Sequence, residues 1–502
     1  MAPFDKKSRP GNRRAGPRSD RRDGDRPPKR DGDRPYKRDG ERPPRRDGDR
    51  PFNRDGERRP RRDDDRSGNE ANGQDHLAAR KATLDLLGMV EKDMSLDDAL
   101  QFCNSFMDLQ GPDRAFARNV ASTVLRRRGA IDALIDEHLE RPFPKRARKA
   151  MHILRAATAQ SVFLDTPAHA AVSTSVDLAK SYQETHGFSG VINAITRKIA
   201  EKGKEKAAAL PERIDTAGWL WRSWERTYGA QAARAFAKAH RVLAPLDLTV
   251  KDPARLEEFA ERADAQIIGA GSIRLGASET PVPQLPGYAN GDWWVQDAAA
   301  SLPVRLFESL DGKRVFDLCA APGGKTMQLA AQGARVMAVD QSEHRMKRLE
   351  DNLRRTHLKA DIVVSHVLNF APGEKADAIL LDAPCTATGT IRRHPDVMWA
   401  KTEENVTSLA RLQTQMIDHA LSLLKSGGVL VYCVCSLQPE EGERQIESLL
   451  ERRSDVSLQA IDAIDLGDFN TAKSKKGWLR TTPAMLAGTG GADGFFAAKL
   501  SV

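Results

Sequence analysis

The sequence predicts an α/β protein, in which a doubly wound, mostly parallel sheet follows an all-helical region and a low-complexity tail. Three observations carry this. From about residue 299, short β-branched apolar runs alternate with helical stretches, the pattern of strands joined by crossover helices. Over residues 76 to about 205, apolar residues recur at helical spacing without a strand signal. Through residue 75 there is almost no apolar residue, and an eight-residue unit repeats.

The repeat starts at Arg22 and runs RDGDRPPK, RDGDRPYK, RDGERPPR, RDGDRPFN, RDGERRPR, then a truncated RDDDR. So little apolar surface cannot offset the entropy of ordering the chain, so residues 1–75 are expected to be disordered. The tail holds 24 Lys/Arg against 17 Asp/Glu, which is most of the +9 net charge of the 502 residues. The basic character therefore points to an acidic partner such as nucleic acid mainly through the tail. Its two readings are a loose electrostatic tether to RNA and a solubilising segment whose charges largely cancel.

In DRAFARNVASTVLRRR, Phe116, Val120 and Val124 fall on one helical stripe. MHILRAATAQSVFL and SVDLAKSYQE continue the pattern, with Pro142, Pro144 and Pro167 as breakers. Arg126, Arg127 and Arg128 cluster at a helix end, where they either meet phosphates or sit in solvent against the helix dipole. Residues 206–298 read as a small α+β segment. Trp219, Trp221 and Trp224 there are read mainly as packing residues, and DLTVKD and GDWWVQDAAA follow.

The five cysteines are odd in number, lack zinc-site spacing and follow no legible secretory leader. Reduced thiols in a cytoplasmic setting are expected, with no metal. No apolar run approaches the ~18–20 residues of a membrane span. Cys103, Cys319 and Cys433 are read as packing residues.

The five predicted strands are VFDLC, RVMAVD, DIVVSHV, DAILLD and GVLVYCVC. Ligands bind at the carboxyl ends of such strands. The first ends in Cys319-Ala320-Ala321-Pro322-Gly323-Gly324-Lys325, where two glycines allow close backbone approach at a helix N-terminus. This is not a Walker loop, because position 319 is Cys where that motif needs Gly. The second strand ends at Asp340, placed to hold ribose hydroxyls, or to cap the next helix. The fourth ends in Asp382-Ala383-Pro384-Cys385 and the fifth in Cys433-Val434-Cys435. A thiol pair beside an acid suits covalent catalysis on a pyrimidine: a thiolate adds to one ring carbon and activates its neighbour. Spacing alone does not say which thiol attacks.

CAAPGGKT, LLDAPCTATGTIRRHPDVMW, VYCVCSLQPEEGE and the late DGFF at Asp493–Phe496 closely resemble the Nol/Nop/Sun family of RNA cytosine-5 methyltransferases. The resemblance implies a Rossmann-like class I methyltransferase sheet over residues 299–502 and S-adenosylmethionine held by the loop 319–325 and Asp340. It implies that Asp382 touches both cofactor and base, that Cys435 attacks carbon 6 of cytosine, and that Cys385 assists release. Two departures stand out. Val434 precedes the attacking Cys where the family commonly has Thr, and His366 or Val367 falls where the family has an acid near the adenine. Arg392, Arg393 and His394, in the loop after Cys385, are expected to contact RNA phosphates.

LRAATAQSVFLDTPAHAAVSTSVDLAK and GVINAITRKI resemble the NusB-type RNA-binding domain, over residues 76–205. Together the two resemblances are those of bacterial small-subunit rRNA methyltransferases, implying 16S rRNA as substrate and a monomer. A tRNA substrate and a catalytically silent, NusB-like assembly factor are the alternative readings.

Overall fold

Helical spacing of apolar residues produces the first part of the fold. The structure, a computed structural model, describes residues 67–502 except 270 and 277–279, with side chains from residue 77. The repeats expected to be disordered lie outside the described residues. Eight helices follow: α1 (Ser67–Val90), α2 (Leu96–Phe102), α3 (Asn104–Met107), α4 (Gly111–Arg126), α5 (Arg128–Asp136), α6 (Arg148–Thr158), α7 (Ala168–Ser181) and α8 (Ser189–Ala209). α1 starts within the segment assigned to the tail. The last proline of the repeats is Pro60, so no proline interrupts α1. In α4, Val120 and Val124 are buried, as their spacing predicts. They share one core with Leu86, Phe106, Ile131, Ile153 and Ile195. Pro142 and Pro144 separate α5 from α6, and Pro167 stands at the N-cap of α7.

α9 (Gly218–His240) leads toward the catalytic half and kinks at Gly229, whose φ of 85° lies in the left-handed region that glycine tolerates. Trp224 is fully buried against Phe236 and His240, while Trp219 and Trp221 pack partly buried around it. The tryptophans are thus packing residues. Next comes a small antiparallel sheet of β1 (Leu246–Val250), β2 (Ala265–Ile268), β3 (Ser272–Leu275) and β4 (Trp293–Val295), in the order β2-β3-β1-β4, with α10 (Leu256–Arg262) beside it.

The large sheet is built from β5 (Arg314–Leu318), β6 (Arg335–Asp340), β7 (Asp361–Val364), β8 (Ala376–Asp382), β9 (Leu424–Val434), β10 (Ser457–Leu458), β11 (Leu479–Arg480) and β12 (Phe496–Ser501). Its order is β10-β12-β9-β8-β5-β6-β7, with β11 paired to β12. β5 to β9 pair in parallel, and β12 runs antiparallel to β9. All five strands predicted from the sequence are present. Helices α11 (Ala298–Arg305), α12 (Gly324–Ala331), α13 (Glu343–Thr356), α14 (Val397–Ala400), α15 (Glu403–Ser422) and α16 (Glu443–Arg452) accompany it. Two cores form on the strands, one containing Val315, Leu380 and Val431, the other Phe316, Ile379, Leu381 and Tyr432. Alternate residues of a strand point to opposite faces, so both faces of the sheet are covered. The chain order reverses between β5 and β8, which is where a doubly wound sheet opens a crevice. Among the described residues no helix is long and apolar enough to cross a membrane.

Candidate active site

Strand register assembles the site. Leu318 of β5 pairs with Val339 of β6 and Leu381 of β8. One residue further along each strand, Cys319, Asp340 and Asp382 therefore stand on a common rung. Asp382 in turn pairs with Cys433 of β9. The ladders continue past the strands, as Ala320 N donates to Val339 O and Ala383 N to Cys433 O, each at 3.0 Å. Residues scattered over more than a hundred positions thus meet at one carboxyl edge.

The loop after β5 turns through Cys319 (φ 66°) and Gly323 (φ 105°). A Cβ at Gly323 would come within 2.8 Å of Leu349, so glycine is required twice over, by conformation and by space. Asp340 braces the loop, accepting from Ala321 N at 3.2 Å and from Ser342 N at 2.9 Å. Arg345 donates to Ala321 O and lies 3.7 Å from Asp340. Lys325 reaches back under the sheet edge and donates to Asp382 Oδ2 at 2.7 Å. Burial opposes its charge, but Asp382 together with Cys433 and Cys435 outweighs this and holds the ammonium above its ordinary range. The side chain also lies 5.1 Å from the centre of the Phe495 ring.

Asp317, buried in β5, was not singled out from the sequence. An acid inside the apolar run VFDL was the available signal. Thr326 donates to its Oδ2, whereas its Oδ1 is buried without a hydrogen-bond partner. Burial pushes its carboxyl up to about 7; the Thr326 hydrogen bond opposes this and nearby Asp382 adds to it. Three acids, Asp317, Asp340 and Asp382, therefore flank a glycine-turned loop against few cations. An orphaned carboxylate oxygen and an acidic surround fit S-adenosylmethionine, which brings a sulfonium, an ammonium and a ribose diol. His366, half-buried, uses Nδ1 to accept from Leu368 N at 3.2 Å, which caps the turn after β7.

The two thiols that the sequence paired are in contact: Cys385 Sγ lies 3.4 Å from Cys435 Sγ. Its hydrogen bond with Cys435, followed by burial, holds the Cys385 thiol well above the ordinary thiol range. Cys385 is therefore protonated at neutral pH, and in the contact with Cys435 either sulfur can be the donor. Cys433 does more than pack: its thiol donates to Asp382 Oδ1 at 3.5 Å. Burial, then Asp382, pushes it well up. Cys319 is also pushed up, first by burial and then by Asp382 and Asp340. Cys103 is buried in the helical core, as expected.

Arg392 and Arg393 are placed otherwise than expected. Arg392 is 1% exposed; it donates to Asp493 Oδ1 at 3.3 Å and to Gly490 O. Arg393 donates to Asp297, to Asp493 Oδ2 at 3.1 Å and to Pro245 O at 3.1 Å. Asp247, held by Arg274 at 2.7 Å, completes this network. Buried charges need opposite partners, and these guanidiniums are already committed to carboxylates, so they are not free to grip phosphate. Only His394 is substantially exposed, and its Nδ1 lies 3.3 Å from Asp97 on α2. The cluster Arg126–Arg128 also turns inward. Arg126 donates to Arg392 O, His240 O and Val242 O, Arg127 pairs with Asp215 at 2.9 Å, and Arg128 lies over Trp399.

Comparison with known proteins agrees with the motifs. Residues 304–501 match the family model described as 16S rRNA methyltransferase RsmB/F, and residues 77–201 match the NusB family. The ribosomal RNA small subunit methyltransferase B of Salmonella arizonae is 32% identical over 407 residues, covering 77% of this chain and 90% of that protein. The protein of that name from Xanthomonas campestris pv. campestris is 34% identical over 372 residues, 70% of this chain and 82% of that one. The solved structure of PH0851 has the same fold over 85% of this chain and 99% of its own, with a TM-score of 0.67 at 22% identity. With a relative above 30% identity spanning most of both chains, the chain belongs to the ribosomal RNA small subunit methyltransferase B family.

Proposed function

We propose that this protein methylates carbon 5 of a cytidine in 16S rRNA, through a covalent bond between Cys435 and carbon 6 of the base. The observation that carries this reading is the 3.4 Å contact of the two motif thiols, Cys385 Sγ and Cys435 Sγ, at the ends of neighbouring strands. Its hydrogen bond with Cys435 and then burial keep Cys385 protonated, so it carries a proton that product release can use. A nucleophile acts as thiolate, and the resemblance of the VYCVCSLQPEEGE motif to the family assigns that role to Cys435.

The Cys435 thiolate adds to carbon 6, and the displaced electron pair makes carbon 5 nucleophilic. When bound, S-adenosylmethionine supplies the methyl group. The loop Cys319–Lys325, with Asp340 and the acids beside it, would hold this cofactor against the sheet edge. Asp382 orients the ring by its polar edge, while Lys325 and Cys433 fix its two oxygens. Loss of the carbon 5 proton returns the electron pair and expels Cys435, and Cys385 assists by handing its proton to the leaving sulfur.

Bisulfite sequencing of 16S rRNA from cells with and without the protein tests the reading. One 5-methylcytosine is expected to vanish on deletion and return with the parent gene. Loss confined to tRNA would replace the substrate, and no loss at all would leave the silent-factor reading.

A further inference from the structure

Thr386 directly follows Cys385, and Ser436 directly follows Cys435. Both turn to the same buried carboxylate, that of Glu441 in the loop before α16. Its Oε1 accepts from Thr386 N at 2.8 Å and from Gln413 Nε2 of α15 at 3.2 Å. Its Oε2 accepts from the hydroxyls of Thr386 and Ser436. Ser436 Oγ lies 3.2 Å from Thr386 Oγ1 and 3.2 Å from Thr388 Oγ1, closing the knot. The backbone of the same segment is tied down as well: Tyr432 donates to Glu441 O at 2.6 Å and Arg480 donates to Ser436 O.

We propose that Glu441 is a positioning residue that sets the separation of the two active-site thiols. This rests on the assignment of Cys435 and Cys385 given above. Glu441 is fully buried, a costly place for a carboxylate unless donors surround it. Of its side-chain partners, all but Gln413 belong to the residue next to one of the two thiols. A carboxylate that only completed the core would not need its donors from those two loops. Hydrogen bonds to an ionised group are the shorter and stiffer kind, so one anion shared by two loops fixes their distance. Without it, the buried Thr386 N–H lacks its acceptor, and the two loops are left joined only further along, by Gly389 N to Cys435 O and Leu437 N to Thr388 Oγ1, each at 3.0 Å, and by the Thr388–Ser436 contact. A thiol contact is short-ranged, and misplacement of a reacting group by ~1 Å costs on the order of 10²-fold in rate.

The test uses the full chain and the variants Glu441→Gln and Thr386→Val, and its first readout needs neither RNA nor cofactor. Diamide oxidises two adjacent thiols to a disulfide and is itself reduced to the hydrazine. The initial rate of the Cys385–Cys435 disulfide is followed by mass spectrometry of digested protein. Glu441→Gln is expected to slow this cross-link by about tenfold or more and Thr386→Val by less, because each loosens a geometry on which rate depends steeply. With RNA and cofactor, kcat is expected to fall with KM for RNA unchanged, and the covalent adduct to change its steady-state level. Cross-linking at the parent rate in both variants overturns the proposal, as does a parent whose thiols do not cross-link, or a loss that falls on KM alone. If Glu441→Gln does not fold, Thr386→Val decides by the same rates, since it keeps the carboxylate and its Ser436 partner. A parent that cross-links readily but makes no 5-methylcytosine overturns the proposed function and leaves this inference standing.

Discussion

Cys385 Sγ and Cys435 Sγ stand 3.4 Å apart, although fifty residues of chain separate them. β8 and β9 are neighbours in the sheet, and Cys385 lies three residues past β8 and Cys435 one past β9, so the sheet itself brings them together.

The two thiols should fail in opposite ways. Cys435→Ala is expected to abolish methyl transfer and to form no adduct. Cys385→Ala is expected to accumulate a covalent RNA–protein species on a denaturing gel, because bond formation survives while release slows. An adduct seen with Cys435→Ala instead would reverse the assignment.

Asp317 makes a pH-dependent contribution to stability. Its folded carboxyl sits at about 7 against an ordinary 3.8. Between those values the folded protein holds a proton that the unfolded chain has released. Stability from this group is therefore complete below about 3.8 and falls as pH rises toward about 7. Asp317→Asn does not titrate. Its Tm relative to the parent is expected to climb across that window and level off above it; a constant offset by calorimetry would contradict the shift.

Arg393→Ala should be a stability variant rather than an RNA-binding one. It leaves Asp297 and Asp493 without their nearest cation in a buried network. Breaking a buried pair from one side costs roughly 3–5 kcal/mol. The urea midpoint is expected to drop accordingly. A phosphate contact would instead leave the midpoint in place and lower the salt slope of RNA binding by about 1.

Deleting residues 1–66 is expected to leave the thermal transition unchanged and to preserve turnover at saturating RNA. Their composition contributes almost nothing apolar to a core. A large loss of kcat at saturating RNA would give the repeats a role in the reaction itself.

Much of the fold was legible because its cues are local. RVMAVD is β6 to the residue, and the Val120–Val124 stripe lies on the buried face of α4. Cys385, Cys435, Asp340 and the loop 319–325 were legible because they sit at strand ends and form long motifs. Arg392 and Arg393 were not. A basic pair near a reactive thiol has the same appearance in sequence whether it faces phosphate or carboxylate. Asp247, Asp297 and Asp493, which absorb these charges, lie about 100 to 150 residues away. Glu441 was hidden similarly inside PEEGE, where nothing local marks one of three acids as the buried one.

By itself, the sequence determined the alternation of strands and helices, the family and the identity of the paired thiols. Periodicity and contiguous motifs are properties of neighbours along the chain. Only the tertiary structure decided which charges are spent within the protein, that Cys433 serves Asp382, and that Glu441 ties the two thiol loops together. Those outcomes depend on which distant carboxylates and hydroxyls share a desolvated space, and desolvation is a property of the folded whole.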